Sequence, residues 1–206
     1  MISEYYVQME GLDKIQHDFG ILKDQSKKVL KAAINDTAKK LNKDMTHKAN
    51  KRYKLKEGLQ GYKSSNVVKK ATVGKLEASI TSTGPILDLK DYVASPDTYF
   101  PGSKGAPSWI KGKVLRKSRL KGISRLKHGR DKYKGFIVKF SNGHKAMVSR
   151  RPGSVSKSNP NKEVIETIYS PAIPKGEEVV YRDEMEADVH QMLLNNIEQQ
   201  IHRFLG

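Results

Sequence analysis

The six histidines are the first residues to test for chemistry, because imidazole binds metal ions and moves protons near neutral pH. They are scattered along the chain, as His17, His47, His128, His144, His190 and His202. No two of them stand at the spacing of a helical or hairpin metal site together with a third ligand. We therefore interpret them as surface histidines, and we expect neither a metal ion nor another cofactor.

Other patterns come close to catalytic motifs but lack an essential member. No Gly-x-Ser-x-Gly sequence is present to raise a serine above a strand end. The Gly112-Lys113 pair suggests a phosphate-binding loop, but its spacing from Gly105 is wrong and Val114 stands where Ser or Thr would bind magnesium. The segment Asp88-Leu89-Lys90 has the acid-x-lysine form of metal-dependent nucleases, yet no suitable acid precedes it on a paired strand.

Cysteine is absent from the sequence, which excludes thiol nucleophiles, thiolate metal sites and disulfides. Together with the incomplete motifs, this predicts a protein that is not an enzyme and has no small-molecule substrate. The opening residues show no basic region followed by an apolar run, and no stretch is apolar for long enough to span a membrane. We therefore expect a protein made in the cytoplasm without a membrane partner.

Positive charge is concentrated in the middle of the chain. The net charge is +17, and residues 102–157 hold seventeen Lys or Arg against Asp131 as the one acid. Such a field attracts polyanions, which include nucleic acid, acidic protein surfaces and anionic lipid. The densest run gives these candidate contact residues: Lys111, Lys113, Arg116, Lys117, Arg119, Lys121, Arg125, Lys127, Arg130, Lys132 and Lys134.

Three interpretations of this basic run stay open: a DNA contact, a contact with an acidic partner protein, and a solvated surface. Its one aromatic residue is Tyr133, so it lacks the interleaved stacking residues of single-strand binders. No helix-turn-helix, ribonucleoprotein or zinc-finger pattern surrounds it. A DNA contact through this run would therefore use phosphates and would not read sequence.

Hydrophobic periodicity predicts the elements that carry this run. Residues 2–9 alternate as a strand, and apolar residues then recur every three or four positions from Leu12 to Met45, which predicts one long helix. Its six lysines at positions 27, 28, 31, 39, 40 and 43 are expected on the solvated face. Residues 67–73 and 76–80 are expected to pair through a turn near Gly74.

The later part of the chain is predicted to be mainly β, with a helix at its end. A hairpin is expected at residues 135–151, with Asn142-Gly143 in a type I′ turn. Residues 95–106 and 151–160 are rich in Pro, Gly and Ser and are interpreted as loops. Glu177 and Glu178 are expected to open a final helix, because acids complement the positive end of its dipole.

This order predicts the α+β class, with a twisted antiparallel sheet packed against a long N-terminal helix and a C-terminal helix. The length of 206 residues suits one domain. We therefore expect a single domain over residues 1–206, with residues 95–134 forming a long insertion, a Pro/Gly-rich and basic loop or arm.

Five segments in order resemble the phage minor tail protein Z family, within the wider group of tail-completion proteins. They are EYYVQMEGLDKI, VLKAAINDTAKKLNKDMTHKANKRY, KLEASITSTGPILDLKDY, GFIVKFSNGHKAMVSRR and IETIYSPAIPKGEE. The resemblance covers nearly the whole chain. Its marks are structural residues, namely Ala33, Asn35, Ala38, Arg150, Arg151, Pro171 and Pro174.

The resemblance implies a virion structural protein that completes the head-proximal end of a long tail and serves in head-tail joining. Its partners would be the tail terminator and the head-tail connector, and its subunits would form a homo-oligomeric ring around channel DNA, which the basic arm could meet through phosphate contacts. The expected location is the tail neck of the virion, assembled in the host cytoplasm. The alternative from composition is a sequence-independent nucleic-acid-binding protein that acts through the central basic segment.

Overall fold

The computed structural model describes residues 1–8, 23–126, 132–157 and 159–205. Helices and antiparallel strands are both present in this part of the chain, which confirms the α+β class. The chain divides into two compact units that alternate along the sequence. The first comprises Met1–Ala49, Leu59–Pro85 and Ile173–Gly206, and the second comprises Asn50–Gly58 and Ile86–Ala172. The single domain over residues 1–206 stays a prediction.

A long helix, α1 (Lys23–Arg52), supplies one face of the core of the first unit. Its fully buried residues recur every three or four positions, as Val29, Leu30, Ala33, Ile34, Ala38, Leu41 and Met45. This spacing places them on one side of the helix. The six lysines predicted for the other side are all exposed, so that prediction is confirmed. The predicted start of the helix near Leu12 and a bend near Gly20 lie outside the described residues.

A three-stranded antiparallel sheet, in the order β1-β3-β2, supplies the opposite face of this core. Its strands are β1 (Ile2–Gln8), β2 (Asn66–Lys69) and β3 (Glu77–Thr83). A short helix, α2 (Leu59–Ser65), precedes β2. Alternate residues of β1 and β3 point into the core, namely Tyr5, Val7, Ala78 and Ile80. The predicted pairing of the second and third strands is confirmed.

The C-terminal segment forms two helices where the sequence predicted one. They are α3 (Ile173–Glu184) and α4 (Val189–Leu205). Met185 leaves the helical conformation, with φ of −138°, and a 3-10 turn over Glu186–Asp188 links the two. Helix α3 contacts β1 and β3. Helix α4 packs on α1, where the Asn196 amide donates a hydrogen bond to the Thr37 hydroxyl at 2.8 Å.

Strands make up most of the second unit, and all but β11 and β12 are short. They are β4 (Leu87–Asp88), β5 (Val93–Ser95), β6 (Lys111–Lys113), β7 (Lys121–Gly122), β8 (Ser124–Leu126), β9 (Lys132–Lys134), β10 (Phe136–Lys139), β11 (Lys145–Ser156), β12 (Asn159–Thr167) and β13 (Tyr169–Ser170). They pair as β10-β11-β12, β5-β6-β7, β8-β9 and β4-β13. Ile110, Ile123, Ile137 and Met147 form the buried hydrophobic cluster at their centre.

The segment 95–134 differs in detail from a plain loop or arm. Strands β6 to β9 lie within it, and Ile110 and Ile123 bury their side chains in the hydrophobic cluster. A Cβ atom added at Gly112 would lie 2.7 Å from Ile123 Cδ1, so glycine is needed there for packing. The faint phosphate-loop pattern at Gly112-Lys113 therefore has a structural explanation in strand β6.

Two predictions about the hairpin region were wrong. Residues 151–160 were expected to be a loop, but β11 and β12 continue through most of them as one long antiparallel pair with bulges. The turn before β11 is a three-residue loop and not a two-residue type I′ turn, because the Gly143 amide donates to the Phe140 carbonyl at 2.9 Å. Gly143, with φ of +82°, takes the left-handed position that this loop needs.

Candidate functional site

Nearly all of the excess positive charge belongs to the second unit. Its residues include twenty-three Lys or Arg and seven acids, a formal charge of +16. The first unit has sixteen Lys or Arg and fifteen acids, a formal charge of +1. The sequence located the basic run, and the fold places that run in the same compact unit as the other cations of residues 86–172. The second unit is therefore the candidate contact surface for a polyanion.

Five of the predicted contact residues have exposed side chains: Lys111, Lys117, Arg119, Lys121 and Lys134. Lys127 and Arg130 lie outside the described residues. Of Arg125 and Lys132 only the backbone is described, in β8 and β9. The structure thus offers these five exposed cations, together with Lys139 and Lys145 of the adjacent hairpin, to a partner.

Arg116 and Lys113 do not fit the prediction of partner contact, because both are engaged with the backbone of their own unit. The Arg116 guanidinium donates to the Asn50 carbonyl through Nε at 3.0 Å and Nη2 at 2.9 Å. Asn50 lies in the last turn of α1, where carbonyl oxygens lack intrahelical partners. Lys113 Nζ donates to the Arg116 carbonyl at 3.0 Å and the Ser118 carbonyl at 3.3 Å. Arg116 therefore caps the C-terminal end of α1. Lys113 stabilises the loop that contains Arg116 and Ser118.

Aromatic rings that flank the basic run in sequence lie beside two basic side chains. Lys134 Nζ lies 5.0 Å from the centre of the Trp109 ring, within the range of a cation–π contact. The guanidinium carbon of Arg150 lies 5.7 Å from the centre of the Phe136 ring. Sequence reasoning counted only Tyr133 as an aromatic within the run. It missed Trp109 and Phe136 because they lie just outside the two ends of the run, which begins at Lys111 and ends at Lys134.

A cavity of about 560 Å³ lies beside Lys134, Phe136 and Arg150 in the second unit. Buried Ile110 and Ile137 and half-buried Phe100 and Phe136 form its apolar wall, while Lys134 and Arg150 also line it. The remaining lining residues are Ala106, Pro107, Ser108 and Gly135. Its volume lies within the roughly 300–1,000 Å³ of typical ligand sites. No acidic side chain lines it among the described residues.

Three residues of the tail-protein resemblance on α1 have definite structural roles. Ala33 and Ala38 are fully buried on the core face of the helix, where small side chains allow close packing. The Asn35 amide bonds in both directions with Ala71, donating to its carbonyl at 3.2 Å and accepting from its N–H at 2.7 Å. Asn35 thereby holds the chain segment that follows β2.

The other residues of the resemblance also make contacts within their own units. Arg150 and Arg151 were expected at a strand end but lie inside β11, because that strand continues to Ser156. Their side chains form exposed ion pairs across to β12, with Glu163 at 3.6 Å and Glu166 at 3.3 Å. The Pro171 carbonyl accepts a hydrogen bond from the Tyr92 hydroxyl at 2.8 Å. Pro174 packs on Gly84, where an added Cβ would lie 3.3 Å from its ring.

Asp88 and Lys90, the residues of the acid-x-lysine pattern, have a structural role. The Asp88 carboxylate accepts from the Lys90 N–H at 2.8 Å, and both of its oxygens accept from the Met147 N–H, at 3.2 and 3.0 Å. Burial raises the pKa of Asp88, and these backbone hydrogen bonds oppose the increase. The carboxylate thus joins the turn after β4 to strand β11.

A buried carboxyl group in the first unit was missed by sequence reasoning. Glu177 was predicted to sit at a helix start, but α3 begins at Ile173 and the Glu177 side chain is fully buried. Its Oε1 accepts from the Asn66 amide at 2.9 Å. A signal was available, since Ile173, Glu177 and Val180 have the spacing of one helix face.

Burial raises the pKa of Glu177 to about 7, against smaller opposing effects from Ser82 and Asn66. The Ser82 hydroxyl lowers the pKa of Glu177, although the two groups do not have the geometry of a full hydrogen bond. Glu177 Oε2 and the Tyr5 hydroxyl have no hydrogen-bond partner in the described part of the chain. A buried carboxyl group with one oxygen left unbonded favours its neutral form near pH 7.

Other searches of the described residues were negative. No group of three His, Asp or Glu side chains stands close enough there to hold a metal ion. No helix in the described ranges is both long and apolar enough to cross a membrane.

The comparisons with known proteins add no relative. No family model, curated protein or solved structure matches the chain.

We predict that Arg116→Ala destabilises the protein by about 1–2 kcal/mol, because it leaves the Asn50 carbonyl without its charged donor. Chemical denaturation followed by circular dichroism measures the change. Lys117→Ala is the matched control, since Lys117 is adjacent and exposed; its effect should stay within about 0.5 kcal/mol. Equal effects of the two substitutions would contradict the capping role.

We predict that Glu177→Gln stabilises the protein at pH 8 more than at pH 5. The pKa of Glu177 is about 7 in the folded protein, above its ordinary value of 4.5. The stability that the protonated carboxyl group contributes is therefore fully present below pH 4.5 and is lost as the pH rises through 7. Gln keeps an oxygen for Asn66 and carries no charge. Urea denaturation at the two pH values should show a difference on the order of 2 kcal/mol.

Glu178→Gln is the control for this experiment, because Glu178 is adjacent but pairs at the surface with Lys175. It should leave the pH dependence unchanged. If the stability of the Glu177→Gln variant has the same pH dependence as that of the wild-type protein, ionisation of the buried Glu177 costs little free energy.

Proposed function

We propose that the protein is a non-enzymatic structural component of a phage or prophage virion, which completes the head-proximal end of the tail and takes part in head-tail joining. In this role it forms a homo-oligomeric ring in the neck and contacts the tail terminator and the head-tail connector. The five segments that resemble the phage minor tail protein Z family, in the same order along the chain, carry the proposal.

Support comes from the positions of the residues that define the resemblance. Ala33, Asn35 and Ala38 shape the core helix and its contact with the segment after β2. Pro174 packs on Gly84 at the start of α3. Each residue thus has a packing or positioning role, as expected for the marks of a structural family.

The contrast between the two units suits a ring subunit. A closed ring needs two different, complementary surfaces on each subunit. The second unit is strongly basic, whereas the first is nearly neutral. The outer face of the sheet in the first unit exposes Ile2, Tyr6 and Val67 beside Glu4 and Lys69, so this surface is mixed and differs from the basic second unit.

The exposed cations of the basic run provide a test of this proposal. We predict that changing Lys117, Arg119 and Lys121 together to Glu blocks head-tail joining while the protein stays folded, because the surface then repels an acidic partner or DNA. Arg116 is left unchanged, since it caps a helix. Complementation of a phage that lacks the gene, with counts of infectious particles and electron micrographs of unjoined tails, measures the effect.

The control changes Lys31, Lys39 and Lys43 of α1 to Glu, with the same alteration of net charge on an exposed helix face of the first unit. This variant should support normal particle yields. If the Lys117, Arg119 and Lys121 variant also supports normal yields, the basic run does not serve in assembly. If tails mature and join heads without the protein, the virion function itself is wrong.

The charge of the second unit favours a second candidate function, sequence-independent nucleic-acid binding. A formal charge of +16 in one compact unit suits contact with many phosphates. Under this hypothesis the protein binds nucleic acid outside a virion and needs no tail partner.

Salt dependence tests this second function. We predict that the affinity for random-sequence duplex DNA falls steeply with salt, with a slope of log affinity against log salt of about 0.9 per neutralised phosphate. Fluorescence anisotropy of a labelled duplex over a salt series measures it. A flat response, or no binding at about 50 mM salt, would exclude the function.

A further inference from the structure

The cavity of the second unit combines an apolar wall with cations that have no strong internal partner. Ile110 and Ile137 belong to the buried hydrophobic cluster, so the wall is held by the core of the unit. Phe100 and Phe136 are half-buried and present ring surface to the cavity. A ligand with a flat apolar part would therefore meet both a fixed wall and aromatic rings.

The two cations that line the cavity can turn toward an anion at low cost. Arg150 lies over the Phe136 ring at 5.7 Å and forms an ion pair with Glu163 at 3.6 Å, but the two side chains of this pair are 50% and 38% exposed. Exposed pairs of this kind contribute little to stability. Lys134 is exposed and its partner is the neutral ring of Trp109, at 5.0 Å. A phosphate would offer both side chains stronger, charge-assisted hydrogen bonds.

Aromatic rings beside phosphate-binding cations are the combination that binds single-stranded nucleic acid. Every base has a flat face that stacks on an aromatic side chain, and a basic groove follows the backbone. The sequence placed only Tyr133 within the basic run, whereas the fold brings Phe100, Trp109 and Phe136 to its edge. The second unit also carries the +16 charge that would attract the flanking phosphates.

We propose that this cavity binds one nucleotide of a single-stranded nucleic acid, with the base against Phe100 and Phe136 and the phosphate at Lys134 and Arg150. Exposed cations of the basic run, such as Lys111 and Lys121, contact the neighbouring phosphates. This inference does not depend on the virion function. It rests on the second candidate function, nucleic-acid binding, and adds to it a preferred strand form and a binding site.

The single tryptophan of the chain makes the proposal directly measurable. Trp109 lies between two residues that line the cavity, Ser108 and Ile110, and beneath Lys134. Titration of the full chain with a short oligothymidylate at low salt should change the Trp109 fluorescence. Anisotropy of the labelled oligonucleotide gives the affinity independently of the tryptophan signal.

Two variants of the cavity test the roles of ring and charge. Phe136→Leu should weaken oligothymidylate binding about tenfold, the lower part of the range measured for loss of one stacked base. Lys134→Gln should weaken it several-fold and reduce the salt slope by about one phosphate contact. Thermal unfolding checks each variant; if Phe136→Leu does not fold, Lys134→Gln decides the matter, because Lys134 is exposed.

Phe140→Leu and Lys31→Gln are the matched controls. Phe140 is exposed on the same hairpin and does not line the cavity, and Lys31 is exposed on α1 in the first unit. Both controls should bind within about twofold of the wild-type protein. Equal weakening by controls and cavity variants would overturn the proposal. Displacement of the oligonucleotide by a Glu-rich peptide, with the same change in Trp109 fluorescence, would overturn it in favour of an acidic protein partner.

Comparison with duplex DNA separates failure of this site from failure of nucleic-acid binding as a whole. If duplex binds at least as tightly as the single strand and Phe136→Leu has no effect on either, phosphate binding stands and the nucleotide site is wrong. If neither form binds at about 50 mM salt, both ideas are wrong.

Discussion

Repulsion among like charges is the main constraint on the second unit, where twenty-three cationic side chains are accompanied by only seven acids. The structure relieves part of it with neutral acceptors. Arg116 donates to the Asn50 carbonyl, and Lys113 donates to two carbonyls of its own loop. Other cations of the unit, such as Lys117 and Arg119, are exposed, where water and salt screen them. The cations that do not stabilise the fold are thus the ones available to a polyanion.

The first unit meets a different constraint, because its charges balance and its interior contains polar groups. Helix α1 buries an apolar face against the sheet, and Glu177 enters the same region on α3. Burial raises the pKa of Glu177 to about 7, so the core disfavours the charged form of this group more than water does. Asn66 donates to it and to the Asn42 side chain, both at 2.9 Å, which ties the start of β2 to both helices.

Both proposed functions depend on binding, and both use the same basic surface. A neck subunit and a nucleic-acid-binding protein each need a rigid scaffold and exposed cations. They differ in what the first unit does, since ring assembly needs a protein contact there and nucleic-acid binding does not.

Local patterns in the sequence were sufficient for the helix stripe from Val29 to Met45, the hairpin around Gly143 and the location of the charge, because these depend on residues close together in the chain. Tertiary structure alone decided that Arg116 caps a helix and that Glu177 is buried. It also decided that Phe100 and Phe136 share a cavity with Lys134. The physical reason is that these roles depend on partners far away in sequence: Arg116 and Asn50 are 66 residues apart, and Glu177 and Asn66 are 111 residues apart.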